Sequence, residues 1–254
     1  MSYANVDGLN TYYETHGTGD PLVLLHGGLA TAESWAAQIP DLAKHYQVIV
    51  PERRGHGRTA DADGRYTYRL MAAETARLLD TLGVSAAHLV GWSDGAMVAA
   101  LVAIDRPELV EKIVLIGQYF TPDGAAPGVQ ALLADAVAMT AWARESYAAL
   151  SPDGPGHFDA VTAKLLRMWR EDTGIPTDEL ARITAPALVM QGDGDFVTVE
   201  HSAHVTRTLA EAQLAVVPGT SHGLPMEKPA LVNQLLLDFL GGEHPPQLIP
   251  LVTP

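Results

Sequence analysis

Residues 87–103 read Ala-His-Leu-Val-Gly-Trp-Ser-Asp-Gly-Ala-Met-Val-Ala-Ala-Leu-Val-Ala, and this stretch decides the fold. An apolar run, Ala87 to Val90, leads into Gly91-Trp92-Ser93-Asp94-Gly95, and an alanine-rich run follows. The pattern predicts a buried strand, a tight turn and a helix, with Ser93 at the apex of the turn. The two glycines have no side chains, so the strand and the helix can pass close to each other. We expect Ser93 to have strained backbone geometry, with its hydroxyl clear of the main chain.

The composition limits the classes of protein that this chain can represent. Its 254 residues suit one domain with an insertion or two small domains, and 47% hydrophobic with 18% charged residues is typical of a soluble globular protein. A net charge of −14 supplies no basic stripe for phosphates, so we expect no nucleic-acid partner. The absence of cysteine excludes disulfides, thiolate metal sites and cysteine nucleophiles. No stretch approaches the roughly 18 apolar residues of a membrane span, so a cytoplasmic protein without membrane contact is expected.

The first half of the chain alternates between strand-like and helix-like runs. Residues 3–16 predict a hairpin, and Pro21–Leu25, Gln47–Val50 and Leu109–Ile116 are continuous apolar runs typical of buried parallel strands. Between them, Tyr68–Leu82 carries apolar residues at helical spacing. This alternation predicts the α/β class, with a mostly parallel sheet flanked by helices.

The alternation stops near Tyr119. Residues 120–183 contain no strand-like run, and Val129–Leu150 and Phe158–Glu171 look helical. We therefore predict a helical cap domain at 120–183, inserted after the sixth strand of an eight-stranded sheet. The core domain would comprise residues 1–119 and 184–254.

The sheet resumes after the cap. Ala187–Gln191 and Leu214–Val217 predict two more strands, and helices are expected near Val199–Ala210 and Pro229–Leu240. The proline-rich tail after Gly241 is expected to be irregular.

A serine hydroxyl is a poor nucleophile unless a base removes its proton and a third group orients that base. Loops that follow parallel strands collect at one edge of the sheet, so Ser93 should lie near the loops after the last two strands. The loop after Gln191 offers two acids, Asp193 and Asp195, and the loop after the last strand offers His222. The order Ser, Asp, His along the chain indicates nucleophilic catalysis.

Five short motifs occur in the order and register of a known superfamily: His26-Gly27-Gly28, Arg54-Gly55-His56-Gly57, Gly91-Trp92-Ser93-Asp94-Gly95, Gly192 to Asp195, and Ser221-His222. Over nearly its whole length the chain resembles enzymes of the α/β-hydrolase fold, of the capped esterase, haloperoxidase-like and proline-iminopeptidase-like kind. In that superfamily the acid usually stands three residues after the glycine. The resemblance therefore implies Asp195 as the orienting acid, with Asp193 as a turn former.

The resemblance also implies an oxyanion hole made of backbone N–H groups. One would come from Asp94, and the other from Gly28, with Leu29 as the nearby alternative. His26 is expected to order this loop without exchanging a proton with substrate. Four residues are candidates for substrate binding: Leu29, Trp92, Trp142 and Trp169. For the cap aromatics, packing within a helical subdomain is the competing interpretation.

The string Gly-Trp-Ser-Asp-Gly is also similar to the biphenyl-hydrolase-like and valacyclovir hydrolase group, where the equivalent acid is thought to attract an amino group. This resemblance implies amino-acid esters as possible substrates, and the alternative is that Asp94 is a helix N-terminal acid. Arg54 is expected to tie loops together through a carboxylate. His201 and His204 are interpreted as surface residues of a helix, so no metal site is predicted.

The leading hypothesis is a cofactor-free serine hydrolase that cleaves a small carboxylic ester through an acyl-enzyme. Amino-acid ester, lactone, amide and carbon–carbon bond hydrolysis, and perhydrolysis, stay open on the same triad. A non-catalytic ligand-binding module on the same fold is the alternative of another class. The expected partner is a small-molecule ester, and the oligomeric state is left open.

Overall fold

The computed structural model describes residues 2–242, and within them the sheet has eight strands. In chain order these are β1 (Ser2–Val6), β2 (Leu9–His16), β3 (Asp20–Leu25), β4 (Tyr46–Pro51), β5 (Ala87–Trp92), β6 (Val110–Ile116), β7 (Ala187–Gly194) and β8 (Ala212–Ser221). The predicted eight-stranded sheet is confirmed. The prediction for the tail after Gly241 falls largely on residues 243–254, which lie outside the described residues.

The strand order brings the ends of distant strands together. It runs β1-β2-β4-β3-β5-β6-β7-β8 across the sheet. The hairpin β1–β2 and the pair β2–β4 are antiparallel, and every later neighbouring pair is parallel. Since parallel strands end at the same edge, the segments that follow β3, β5, β7 and β8 meet there.

Helices cover both faces of the sheet. They are α1 (Ile39–Leu42), α2 (Tyr68–Thr81), α3 (Asp94–Asp105), α4 (Val129–Ala134), α5 (Ala136–Thr140), α6 (Arg144–Leu150), α7 (Phe158–Glu171), α8 (Thr177–Leu180), α9 (Val199–Thr208), α10 (Leu224–Glu227) and α11 (Pro229–Gly241). Short 3-10 helices span Ala32–Trp35, Pro107–Leu109, Pro122–Gly124, Ala141–Ala143 and Pro155–His157. None of the helices in residues 2–242 is long and apolar enough to span a lipid bilayer.

Successive residues of the buried strands face opposite layers, which explains their continuous apolar sequence. In β3, Val23 and Leu25 pack into the cluster that contains α2 and α3. Leu22 and Leu24 pack into the cluster on the other face, which contains Leu236 of α11. A strand buried on both faces has no polar side to show in its sequence.

The cap segment, residues 120–183, is helical and contains no strand, but its first helix is not continuous as predicted. Val129–Leu150 is divided into α4, α5, a 3-10 turn and α6. The first break is at Asp135, which leaves the helical region (φ −90°, ψ 83°) and accepts a hydrogen bond from the Ala138 N–H at 3.0 Å. An aspartate that caps the following helix competes with helix continuation. The division of the chain into core and cap domains stays a prediction.

The last two strands are longer than their apolar runs. Pairing between β7 and β8 continues beyond Val217 as far as the pair Gly194 and Ser221. Periodicity misses this extension because the added residues are small or polar. As a consequence, Asp195 and His222 each follow directly at the end of a strand.

Candidate active site

Ser93 lies in the strand–turn–helix that the sequence predicts, between β5 and α3. Its backbone is in a strained conformation (φ 55°, ψ −124°), and its N–H donates to the Ile116 carbonyl at 2.8 Å. A Cβ atom added at Gly91 would collide with the backbone of Gly95, and one at Gly95 would collide with the Leu25 carbonyl. The glycines are therefore required by the close approach of strand and helix.

The structure brings Ser93, His222 and Asp195 into one chain of hydrogen bonds. His222 Nε2 lies 2.9 Å from Ser93 Oγ, and His222 Nδ1 lies 2.7 Å from Asp195 Oδ1. A carboxylate beside Nδ1 assigns the proton to that nitrogen, which leaves Nε2 as the acceptor for the serine hydroxyl. Asp195 is 7% exposed, and it also accepts from the Gly192 N–H at 3.2 Å and the Phe196 N–H at 2.6 Å.

Asp193 occupies a different place in the same loop. It is exposed, and its Oδ1 accepts from the Thr220 N–H at 3.1 Å. Hydrogen bonds from the backbone of Gly219 and Thr220 lower the pKa of the Asp193 carboxyl. Asp193 thus ties the loop after β7 to the end of β8, while Asp195 faces His222.

Three side chains hold the loop of His222 through contacts that sequence reasoning missed. The Phe196 ring stacks on the imidazole with centroids 4.2 Å apart and planes 14° apart. The Trp92 indole N–H donates to the His222 carbonyl at 2.8 Å. Glu227 accepts from the backbone N–H of Ser221 at 2.7 Å and from its hydroxyl at 2.5 Å. Of these three side chains, only Phe196 could have been suspected from the sequence, because it directly follows Asp195.

The candidate oxyanion donors lie beside Ser93. Gly28, Leu29 and Asp94 all line the same cavity as Ser93 and His222. Within residues 2–242, no hydrogen bond engages their backbone N–H groups. These N–H groups therefore have donor capacity available for a ligand, as an oxyanion hole requires. Gly28 and Leu29 both remain candidates for the second donor.

The Asp94 side chain is occupied on both oxygens. The residue is 5% exposed, its Oδ1 accepts from the Tyr68 hydroxyl at 2.7 Å, and its Oδ2 accepts from the Trp169 indole at 2.8 Å. Burial raises the pKa of the Asp94 carboxyl, and Arg53 and these two donors oppose the rise. The carboxylate thus joins the start of α3 to α2 and to α7 of the cap segment. Sequence reasoning missed Tyr68.

A cavity of about 250 Å³ opens above Ser93 between the sheet edge and the cap segment. All four candidates for substrate binding line it: Leu29, Trp92, Trp142 and Trp169. Trp142 is 58% exposed, so it belongs to the outer part of the wall. Much of the remaining lining is apolar or aromatic, and in the described part of the chain its carboxylates are Asp94 and Asp172, with no lysine or arginine.

Two residues outside the triad have structural contacts, one as the sequence predicts and the other with a different partner element. His26 is fully buried, and its Nδ1 lies 2.7 Å from the Gly27 carbonyl, consistent with ordering the loop. Arg54 forms a bidentate pair with Glu74, with Nε 2.9 Å from Oε2. Glu74 belongs to α2, so the pair ties a loop to a helix and not to another loop.

The interpretation of His201 as a surface residue was wrong. The side chain is 8% exposed, and its Nε2 accepts from the Phe120 N–H at 3.0 Å. The cap segment begins at this point and covers the start of α9, which the helix's own sequence does not reveal. His204 is exposed, as expected. Among residues 2–242, no group of three His, Cys, Asp or Glu side chains could hold a metal ion.

The chain is similar to a protein family, to individual proteins and to solved structures. A family model of the alpha/beta hydrolase fold matches residues 20–171. The chain is 27% identical to the RutD protein of Azorhizobium caulinodans, assigned as a carbamate hydrolase, over 95% of this chain and 98% of that protein. It is 30% identical to a non-heme haloperoxidase of Rhodococcus erythropolis, over 92% of this chain and 97% of that protein. A meta-cleavage product hydrolase from Pseudomonas fluorescens IP01 has a TM-score of 0.83 at 22% identity, covering 95% and 98% of the two chains. This last match is a likeness of fold.

Proposed function

We propose that this chain, which belongs to the α/β-hydrolase family, is a cofactor-free serine hydrolase that cleaves small, neutral carboxylic esters. One observation carries the proposal. Ser93 Oγ lies 2.9 Å from His222 Nε2, His222 Nδ1 lies 2.7 Å from Asp195 Oδ1, and the serine lines a largely apolar cavity. Nucleophile, base and orienting acid at hydrogen-bond distance form the arrangement that acyl transfer needs.

In the first half of the reaction, Ser93 Oγ attacks the ester carbonyl carbon while His222 Nε2 takes the hydroxyl proton. The carbonyl oxygen gains the negative charge, which the Asp94 N–H and the N–H of Gly28 or Leu29 stabilise. Asp195 stabilises the imidazolium that forms. The tetrahedral intermediate then expels the alcohol, which receives the proton from His222, and Ser93 is left acylated.

In the second half, water attacks the acyl-enzyme and gives its proton to His222. The same backbone N–H groups bind the second oxyanion. Collapse of this intermediate releases the carboxylic acid, and the proton on His222 returns to Ser93 Oγ. The stacked ring of Phe196, 4.2 Å from the imidazole, keeps His222 facing the serine throughout.

The cavity favours a neutral, mainly apolar substrate. A substrate carboxylate would lie among apolar side chains and near Asp94 and Asp172, and within residues 2–242 no lysine or arginine of the lining could pair with it. The amino-acid ester alternative receives little support, since Tyr68 and Trp169 already occupy both oxygens of Asp94. The name of one relative, a carbamate hydrolase, fits cleavage at a carbonyl carbon by this triad.

A fluorophosphonate probe and p-nitrophenyl esters of graded acyl length test the proposal. We expect the probe to label Ser93, and we expect Ser93→Ala to abolish both labelling and ester turnover. Ser85→Ala changes an exposed serine and serves as the matched control, with both activities unchanged. Absence of labelling in folded wild-type protein at pH 8 would favour a non-catalytic module on the same fold.

A further inference from the structure

The peptide between Gly27 and Gly28 is held from its carbonyl side by two buried side chains and by the Ala30 N–H, which donates to the Gly27 carbonyl at 3.3 Å. His26 Nε2 accepts from the Arg53 backbone N–H at 3.2 Å, which assigns the ring proton to Nδ1. His26 Nδ1 therefore donates to the Gly27 carbonyl at 2.7 Å. Arg53 Nη2 donates to the same carbonyl at 3.2 Å and to the His26 carbonyl at 2.6 Å. His26 is 0% exposed and Arg53 is 5% exposed, so water does not compete for these bonds.

The orientation of the carbonyl determines the orientation of the neighbouring N–H. In a planar trans peptide, the C=O and the N–H point in opposite directions. With the Gly27 carbonyl turned toward His26 and Arg53, the Gly28 N–H points the other way. Gly28 lines the cavity together with Ser93, and a Cβ at Gly27 would lie 3.3 Å from Ser93 Cβ. The Gly28 N–H is thus directed to the side on which the oxyanion forms.

We propose that Arg53 is a positioning residue for the oxyanion hole, acting through the Gly27 carbonyl on the Gly28 N–H. The inference rests on the proposed function and selects Gly28 over Leu29 as the second donor. Hydrogen bonds to a carbonyl polarise the whole amide, so they also make its N–H a stronger donor. Sequence reasoning assigned no role to Arg53, because the motif that carries the resemblance begins one residue later, at Arg54.

The charge of Arg53 provides a second contribution. The Asp94 carboxylate lies beside Gly28, where an added Cβ would be 2.5 Å from Oδ2, so it would repel an oxyanion bound to the Gly28 N–H. Arg53 is the largest counteracting influence on the buried Asp94 carboxyl, whose pKa it lowers. Burial lowers the pKa of Arg53 to about 10, so the guanidinium stays charged at neutral pH. In the part of the chain that the structure describes, its Nε and Nη1 have no hydrogen-bond partner. No salt bridge to a carboxylate therefore neutralises the Arg53 cation at these two atoms.

The test compares Arg53→Gln and Arg53→Lys with a matched control, Arg54→Gln. Arg54 is similarly buried, at 7% exposure, but it pairs with Glu74. With p-nitrophenyl butyrate, we expect Arg53→Gln to lower kcat about 10- to 100-fold and to leave KM within about 2-fold, since the effect is on the transition state. Arg53→Lys should retain part of kcat, because the positive charge remains. Arg54→Gln should lower thermal stability and leave kcat unchanged.

Two ketones of equal chain length separate positioning from a merely structural role. Ser93 Oγ adds to the carbonyl carbon of a trifluoromethyl ketone and gives its proton to His222, so the tetrahedral adduct bears a negative oxygen, whereas the methyl ketone binds unreacted. Affinity for the first should fall in parallel with kcat across the Arg53 variants, and affinity for the second should not change. The proposal would be overturned if folded Arg53→Gln had the same ratio of affinities for the trifluoromethyl and the methyl ketone as the wild type. If the glutamine variant does not fold, the same comparison is made with Arg53→Lys. If the wild-type protein shows neither turnover nor Ser93 labelling, the proposed function fails instead.

Discussion

Trp169 Nε1 lies 2.8 Å from Asp94 Oδ2, and this hydrogen bond joins the cap segment to the residue that follows Ser93. The same indole lies against Gly28, where an added Cβ would collide with it. One wall of the cavity is therefore held by a bond between α7 and the start of α3. We therefore expect the width of the cavity beside Ser93 to depend on that bond.

Replacing Trp169 by phenylalanine removes the donor and keeps an aromatic ring. A hydrogen bond to a charged group is worth about 1.5–3 kcal/mol, so we expect KM for p-nitrophenyl butyrate to rise about 10-fold, with a smaller change in kcat. Trp142→Phe is the control, because this half-exposed indole donates only to the Met139 carbonyl within the cap segment. Equal effects of the two substitutions would contradict a specific role for the bond to Asp94.

The two acids of the loop after β7 should differ sharply in their effect on turnover. Asp195→Asn leaves a side chain of the same shape that no longer stabilises the imidazolium, so we expect kcat to fall about 10⁴-fold. Asp193→Asn keeps an acceptor for the Thr220 N–H but loses the negative charge, and it should lower kcat by less than about 10-fold. Steady-state kinetics on both variants at pH 8 provide the measurement. A larger loss of kcat in the Asp193 variant would mean that Asp193, and not Asp195, orients His222.

Gly28 has no room for a side chain. An added Cβ would lie 2.5 Å from Asp94 Oδ2 and would also collide with Trp169, so either the loop or these two side chains must shift. We expect Gly28→Ala to lower kcat/KM about 10- to 100-fold through displacement of an oxyanion donor. Gly156→Ala, where no atom lies within 4 Å of the added Cβ, should retain wild-type kinetics. Wild-type activity in Gly28→Ala would show that this position lies outside the oxyanion hole.

His56 should make stability depend on pH on the acidic side. Burial, with a further contribution from Arg53, lowers its pKa to about 3, whereas the pKa of an unfolded histidine is about 6.5. Between these two values the unfolded chain binds more protons than the folded one, so the free energy of unfolding falls as pH falls. For one proton the slope approaches about 1.4 kcal/mol per pH unit, and the contribution is fully present above the unfolded pKa.

His56→Asn removes this titration and keeps a side-chain N–H for the Arg54 carbonyl, which now lies 2.9 Å from His56 Nδ1. Urea unfolding at pH 7.5, 6, 5 and 4 should therefore give a shallower decline for the variant than for the wild type. His204→Asn, at an exposed position of α9, should follow the wild-type profile. Parallel profiles for wild type and His56→Asn would contradict the assignment.

Substrate charge should decide turnover more strongly than substrate length. We expect kcat/KM for p-nitrophenyl hemisuccinate to be at least about 100-fold below that for p-nitrophenyl butyrate, because among residues 2–242 the cavity lining has no lysine or arginine to pair with the extra carboxylate. The neutral methyl ester of the hemisuccinate is the control for size and should recover most of the rate. Asp172→Asn, which removes one carboxylate from the lining, should narrow the gap between the two substrates. Equal rates for the charged and the neutral succinates would contradict a substrate class defined by charge.

The sequence by itself was sufficient for the parallel sheet and the position of the nucleophile. Buried strands such as β3 and β5 are continuous apolar runs, and the spacing of Gly91 and Gly95 around Ser93 is a local requirement of backbone packing. His222 and the two acids Asp193 and Asp195 were also within reach, because they follow predicted strands, whereas the choice of Asp195 came from the family resemblance. Local chemistry and the rule that parallel strands end at one edge supply this information.

Only the tertiary structure decided how the side chains around Ser93 are occupied. Asp94 meets Tyr68 of α2 and Trp169 of α7, Arg53 holds the Gly27 carbonyl, and His201 is buried beneath the start of the cap segment. Each of these contacts joins residues that are distant in sequence. Hydrophobic periodicity reports which face of an element is buried, but it does not report which polar group of another element meets a given side chain. That partner depends on how the cap segment packs on the sheet.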